Sequence, residues 1–101
     1  MVLIELLKKE LEIISRAKST VSIRMGFLFE GESKFLKDKF KNLLKKGIEI
    51  NILAAEYCYI DDKKIDVLAE FEDCGVNILK ADIPFVKLII RDGIEMIHIF
   101  F

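Results

Sequence analysis

Segments with helical periodicity alternate with short apolar runs along the whole chain, and this alternation constrains the fold most strongly. The predicted helices cover residues 2–17, residues 33–46 with Ser33 as the N-cap, and a third segment that ends at Gly75 with Asp61 or Asp62 as its N-cap. The predicted strands cover residues 20–27, 48–54, 76–79, 86–91 and 94–101. Alternating strand and helix units are typical of a mostly parallel sheet with helices packed on its faces.

The dipeptide Asp92-Gly93 is the strongest short hairpin signal, because a type I′ turn needs positive φ at both central residues. This turn joins the last two predicted strands into an antiparallel pair. We therefore predict an α/β fold with a three-layer α-β-α arrangement, in which a mostly parallel sheet carries a C-terminal antiparallel hairpin. No linker, repeat or low-complexity stretch interrupts residues 1–101, so we expect a single domain.

The charge and hydropathy of the chain exclude several classes of function. The 16 Lys and Arg residues nearly balance the 17 Asp and Glu residues, so the net charge of -1 gives no general attraction to nucleic acid. No apolar run approaches the ~20 residues that a membrane-spanning helix needs. Charged residues follow Met1 closely, unlike in a signal peptide. We expect a cytoplasmic protein that does not contact membranes.

The residues that commonly bind metals are too few for a metal centre. Cys58, Cys74 and His98 cannot supply the four ligands of a structural zinc site, and the chain has no C-x-x-C motif. Free cysteines are usually small buried apolar residues, and we interpret Cys58 and Cys74 in that way. The sequence therefore predicts neither a metal nor another cofactor.

The amino-acid usage favours a thermophilic source. The chain has no Gln and no Trp, while Ile, Lys and Glu are abundant. Proteins of hyperthermophiles are enriched in Lys and Glu and depleted in thermolabile amides. We therefore expect a high melting temperature.

The most specific motif is the spacing of Phe85, Lys87 and Asp92, which reads Phe-x-Lys-x4-Asp. This spacing resembles the His-x-Lys-x4-Asp signature of the phospholipase D superfamily. The resemblance implies a histidine nucleophile at the first position, a phosphate-binding lysine and a supporting aspartate. Because a phenyl ring cannot attack phosphorus, Phe85 implies that nucleophilic catalysis at this site is lost. We therefore predict that the chain is not an enzyme.

Three longer segments narrow this resemblance: KKGIEINILA from Lys45, DCGVNILKA from Asp73 and IPFVKLIIRDGIEMIHIF from Ile83. Together with the order of helices and strands, they resemble the degenerate phospholipase D-like domain of TrmB-type transcriptional regulators. That family is archaeal and bacterial and often sugar-responsive. The resemblance implies a non-catalytic domain for effector sensing and dimerisation. It also implies that DNA is bound only through a separate winged-helix domain, which this chain lacks.

Four residues are candidates for binding a sugar-like effector: Tyr57, Tyr59, Lys87 and Asp92. Tyr57 and Tyr59 follow a predicted strand at its carboxyl end, where open α/β sheets bind ligands, and tyrosine offers a stacking surface with a hydroxyl group. Each candidate also has a purely structural interpretation. The tyrosines would cover the end of the sheet, the Lys87 stem would pack while its ammonium reaches water, and Asp92 would only form the hairpin turn.

Two other functions remain open. In the first, the chain is a small dimeric phosphodiesterase or nuclease of the phospholipase D superfamily, with His98 as the replacement nucleophile. In the second, it is a purely structural pairing domain without a ligand. The last predicted strand is apolar, with Ile97, Ile99, Phe100 and Phe101, and an exposed apolar edge of a sheet is expected to be covered. Either a second copy covers it, or the chain is part of a longer protein. We predict a homodimer.

Overall fold

The computed structural model describes residues 2–28, 31–55, 66–84 and 86–100. The elements are α1 (Val2–Ser15), β1 (Thr20–Met25), α2 (Glu32–Lys45), β2 (Glu49–Ala55), α3 (Val67–Cys74), β3 (Asn77–Ala81), β4 (Val86–Arg91) and β5 (Glu95–Phe100). Their bounds agree with the sequence prediction to within two residues, except at the start of α3. Periodicity and turn residues therefore predicted the elements well.

The strands form one five-stranded sheet in the order β3-β2-β1-β4-β5. Strands β1, β2 and β3 are mutually parallel, whereas β4 runs antiparallel to β1 and β5 runs antiparallel to β4. In the hairpin between β4 and β5, Asp92 and Gly93 have φ angles of 54° and 70°, as a type I′ turn requires. The predicted α/β fold with a C-terminal antiparallel hairpin is confirmed.

The core lies between one face of the sheet and the three helices. Alternate strand residues such as Val21, Ile23, Ile50, Ile52 and Ile89 point into it. Helix α2 packs against both α1 and α3, which places the three helices on the same side. The described residues thus contain two layers of the predicted three-layer arrangement. The opposite side, called the open face below, carries Ser22, Arg24, Glu49, Asn51, Leu53, Asn77, Leu79, Leu88, Ile90, Met96 and His98.

The predicted N-caps of α2 and α3 are wrong. Helix α2 begins at Glu32 with Gly31 at the N-cap position, because the buried Glu32 belongs to the first helical turn and puts Ser33 inside the helix. Helix α3 begins at Val67, and its N-cap Asp66 accepts a hydrogen bond of 3.1 Å from the Ala69 N–H. Asp66 stands directly before the buried face of α3, whereas Asp61 and Asp62 lie outside the described residues.

Two expectations about surface and burial can be compared with the described residues. None of their helices is long and apolar enough to cross a membrane. Cys74 is a free thiol that is only half-buried at the end of α3, so it is less enclosed than predicted. Cys58 lies outside the described residues.

Candidate functional site

Lys87 lies near the start of β4 and is almost completely buried, with 1% of its surface exposed. It pairs with Met25 of β1 in the sheet and points toward the helices rather than toward the open face. A buried ammonium loses most of its hydration, so it must be compensated by opposite charge or hydrogen bonds. The simple interpretation of Lys87, a packed stem with an ammonium in water, is therefore not what the structure shows.

Two carboxylates from different helices surround the Lys87 ammonium. Both carboxylate oxygens of Glu32, in the first turn of α2, lie 2.5 Å from Nζ. One oxygen of Glu10, in α1, lies 3.1 Å from the same nitrogen. The ammonium also lies 5.0 Å from the centre of the Phe27 ring, within the range of a cation–π interaction. These four residues, Lys87, Glu32, Glu10 and Phe27, are called the Lys87 cluster below.

Glu10 is the least well compensated member of the Lys87 cluster. Its side chain is fully buried, and neither of its oxygens makes a hydrogen bond of normal geometry within the described residues, although one is within ion-pair distance of Lys87. Burial raises the pKa of Glu10 to about 8, and the neighbouring Glu32 carboxylate adds to the rise while Lys87 opposes it. At neutral pH Glu10 therefore keeps its proton. The cluster then contains one ammonium and one carboxylate.

Gly26, directly after β1, packs its backbone against the start of β4 at this end of the sheet. Its N–H donates a hydrogen bond of 2.8 Å to the carbonyl of Val86, so the residue after β1 lies directly against the start of β4. A Cβ atom on Gly26 would lie 2.2 Å from the Pro84 carbonyl oxygen and 2.4 Å from that of Val86. Only glycine fits such a close approach of two backbones. The start of β4, which carries Lys87, is therefore held closely against the end of β1.

Asp92 connects the hairpin to the loop between α1 and β1. Its carboxylate accepts hydrogen bonds from the backbone N–H groups of Lys18, Ser19 and Thr20 at 2.8 to 3.1 Å. These donors hold the pKa of Asp92 well below its usual range. Asp92 also contacts the Arg91 guanidinium at 3.1 Å. Its oxygens are thus occupied by the protein itself, and they fix the hairpin in place.

The structure does not bring the two described candidate residues together. Lys87 and Asp92 lie at opposite ends of β4, which at ~3.3 Å per residue separates them by about 17 Å. Tyr57, Tyr59 and Phe85 lie outside the described residues. No group of three metal-ligating side chains forms within the described ranges. Ligand binding by the four candidates stays a prediction.

His98 lies on the other side of the sheet from Lys87. It is exposed on β5, where it pairs with Leu88, whereas Lys87 pairs with the buried Ile99. Successive residues of a strand point to opposite faces, so the Leu88–His98 row belongs to the open face. A nucleophile at His98 therefore cannot attack a phosphate that is held by Lys87 of the same chain.

Neither carboxylate of the Lys87 cluster is among the candidate residues predicted from the sequence. For Glu10 a signal existed, because it is three or four residues from Leu6, Leu7, Ile13 and Ile14 and so stands within the apolar stripe of α1. An acidic residue in such a stripe needs a buried partner. Glu32 carries no comparable signal, since an acidic residue in the first turn of a helix is already explained by the helix dipole.

Comparison with known proteins gives a result only at the level of structure. No protein-family model matches the chain, and no curated protein matches it. Among solved structures, Nuc, a phospholipase D family member from Salmonella typhimurium, matches with a TM-score of 0.68 over 83% of this chain. The chain has a phospholipase D-like fold.

The likeness to Nuc is limited to the fold. The two sequences are 16% identical, and this chain spans about half (55%) of the length of Nuc. At that identity the likeness shows the fold alone. The predicted phospholipase D-like fold is supported, whereas the resemblance to TrmB-type regulators receives no support from the comparisons and stays a prediction.

Proposed function

We propose that the chain is a non-catalytic phospholipase D-like domain that senses an effector and mediates dimerisation in a TrmB-type transcriptional regulator. The phospholipase D-like fold supports the superfamily part of this proposal. The Phe-x-Lys-x4-Asp spacing supports the loss of the nucleophile, because Phe85 occupies the position of the histidine. DNA would be bound by a winged-helix domain outside this chain.

The observation that carries the proposal is the burial of Lys87 between two carboxylates. A phosphate-binding lysine must offer its ammonium to the substrate, but Lys87 Nζ is occupied by both oxygens of Glu32 at 2.5 Å. Moving the ammonium to a phosphate would leave Glu32 buried without its partner. Breaking a buried ion pair in this way costs about 3–5 kcal/mol. The cluster therefore favours a structural lysine over a catalytic one.

The proposed effector site lies at the carboxyl ends of β1 and β2, the usual place for ligands in open α/β sheets. Tyr57 and Tyr59 follow β2 in sequence and would supply the stacking surfaces for a sugar-like molecule. Lys87 would contribute to this site indirectly, because its buried cluster fixes the strand ends on which the site lies. In this proposal Asp92 contributes indirectly, by fixing the hairpin at the other end of β4.

A thermal-shift experiment tests effector sensing with a panel of sugars and sugar phosphates. A ligand at 100 times its dissociation constant adds about 2.7 kcal/mol to the free energy of unfolding. We expect one class of sugar to raise the melting temperature, and the double change of Tyr57→Ala and Tyr59→Ala to abolish that rise. Phe35→Ala, which removes an exposed aromatic ring from α2, is the matched control. A panel without any stabilising sugar would favour the purely structural pairing domain.

Because the fold resembles that of a phospholipase D family member, a second candidate function remains, that of a small dimeric phosphodiesterase. Hydrolysis of bis(p-nitrophenyl) phosphate decides between the two. We expect no turnover from the unaltered protein. Turnover that His98→Ala abolishes, while Met96→Ala on the same face retains it, would establish the phosphodiesterase and refute a non-catalytic domain.

A further inference from the structure

The open face of the sheet is an apolar surface that no described element covers. Its apolar side chains run across four strands, and two of them are largely exposed: Leu79 on β3 at 72% and Met96 on β5 at 60%. Leu53, Leu88 and Ile90 lie between them in the same or the adjacent register row. The polar β1 residues Ser22 and Arg24 separate these side chains into two apolar areas. Exposed apolar area of this extent is typical of a contact surface.

Arg24 is the one charged residue near the middle of this surface. It lies on the central strand β1, and its register partners are Leu53 on one side and Leu88 on the other. The side chain is exposed, and it makes no ion pair or hydrogen bond with any described residue. Burial of the apolar side chains around Arg24 would also bury Arg24 and leave its charge uncompensated. Whatever covers this face must therefore bring a carboxylate to Arg24.

The same face provides such a carboxylate at the other end of the strands. Glu49 begins β2, is exposed, and lies beside Thr20, four residues before Arg24 on the neighbouring strand. At ~3.3 Å per residue, the two charges are about 13 Å apart along the strand direction. Among the described residues, the Glu49 carboxylate accepts one hydrogen bond, from the side-chain amide of Asn51 at 3.1 Å. Among the described residues of the open face, Arg24 and Glu49 thus place a cation and an anion on opposite sides of Ser22.

We infer that the open face pairs with the open face of a second copy of this chain, with the two β1 strands antiparallel. A two-fold axis that crosses β1 at Ser22, perpendicular to the strands, brings Arg24 of each copy over Glu49 of the other. Turning the second copy about an axis parallel to β1 would instead bring the two Arg24 side chains together, which is repulsive. Charge therefore selects the antiparallel arrangement, and self-complementarity is what a two-fold interface requires.

The area of the face sets the strength of this pairing. Five strands spaced ~4.8 Å apart, each about six residues long, cover roughly 20 by 24 Å. Pairing two such faces buries about 1,000 Å² in total, near the lower bound of specific interfaces. The dimer is consequently weak and depends on protein concentration and on salt. This inference rests on the proposed pairing role and adds to it the surface and the orientation.

Sedimentation velocity from about 1 μM to about 1 mM protein, across the range of weak affinities, tests the inference. We expect a monomer–dimer equilibrium that Arg24→Glu and Glu49→Arg each weaken by about tenfold or more, since each change places like charges in contact. The double variant exchanges the two charges and should restore dimerisation. Lys34→Glu, a change at an exposed position of α2, is the matched control and should leave the equilibrium unchanged.

The outcomes separate the surface from the pairing role. Dimers that are insensitive to all of these variants would refute the open face as the interface while leaving the pairing role intact. A monomer at every concentration would refute both, even if the sugar panel still identified an effector. Restoration by the charge exchange is the result that only the antiparallel arrangement predicts.

Discussion

Replacing Glu10 by Gln tests whether the Lys87 cluster keeps a protonated carboxyl group. Gln has nearly the shape of the protonated Glu side chain but cannot ionise. In the folded protein the Glu10 pKa is about 8, compared with 4.5 for an ordinary Glu. Between these two values the folded state holds a proton that the unfolded state has released. The stability that depends on Glu10 therefore falls as pH rises from 4.5 to about 8 and is constant above that range.

The magnitude follows from the width of that interval. Each pH unit between the two pKa values costs about 1.4 kcal/mol of stability. By pH 7 the fall amounts to about 3 kcal/mol, which Glu10→Gln removes. We therefore expect the variant to match the unaltered protein near pH 4.5 and to exceed its free energy of unfolding by up to about 3 kcal/mol at pH 7.

Urea unfolding at a series of pH values from about 4.5 to 8 measures this difference directly. Glu5→Gln, at an exposed position of the same helix, is the matched control and should follow the unaltered protein at every pH. Other titrating groups cancel in the difference between variant and unaltered protein. Parallel curves for Glu10→Gln and the unaltered protein across this range would refute the assignment of a raised pKa to Glu10.

Three further changes test the surroundings of the site, each by urea unfolding at neutral pH unless stated. Lys87→Met leaves the Glu32 carboxylate buried without its ammonium and should cost about 3–5 kcal/mol; a loss below about 1 kcal/mol would show that the cluster is hydrated. Gly26→Ala forces a Cβ against the Pro84 and Val86 carbonyls and should cost about 1–3 kcal/mol or more, whereas an unchanged midpoint would contradict the close approach. Asp92→Asn should lower the urea midpoint, because the amide cannot accept hydrogen bonds from the same set of N–H groups. The difference from the unaltered protein should shrink as pH falls below the ordinary Asp pKa of 3.8, because the unaltered protein loses its stabilising charge as pH falls through the folded pKa of Asp92. Because the loss extends from pH 3.8 down to the lower folded pKa, a difference that does not shrink at all between about pH 4 and pH 2 would oppose that explanation.

The parts of the fold that are determined by residues close together in the sequence could be predicted. Short apolar runs predicted the strands, and Asp92-Gly93 predicted the hairpin from the φ angles that the turn needs. The caps were less predictable. At α2 the N-cap position is Gly31, which makes no side-chain hydrogen bond, and at α3 Asp61 and Asp62 offer the same capping chemistry as the residue that the fold uses. For α3 that residue is Asp66, and burial of the residues that follow decides the choice.

The Lys87 cluster could not be predicted, because its members are far apart in the sequence. Lys87 and Glu32 are separated by 55 positions, and they meet only because the fold brings the first turn of α2 close to the start of β4. The sequence identified Lys87 by its spacing but gave no indication of its partners. The open face was equally hidden, since a charged residue such as Arg24 on a strand is compatible with either side of a sheet.

The central claim is that Lys87 is held by Glu32 and is closed to phosphate, and NMR of the lysine ammonium groups tests it most directly. The Lys87→Met variant identifies the Lys87 resonance by its disappearance. We predict an ammonium signal that exchanges slowly with water, because the group is buried, and that does not shift when inorganic phosphate or a dialkyl phosphate is added. A rapidly exchanging signal that shifts saturably with phosphate would contradict the account and return Lys87 to the role of a phosphate-binding residue.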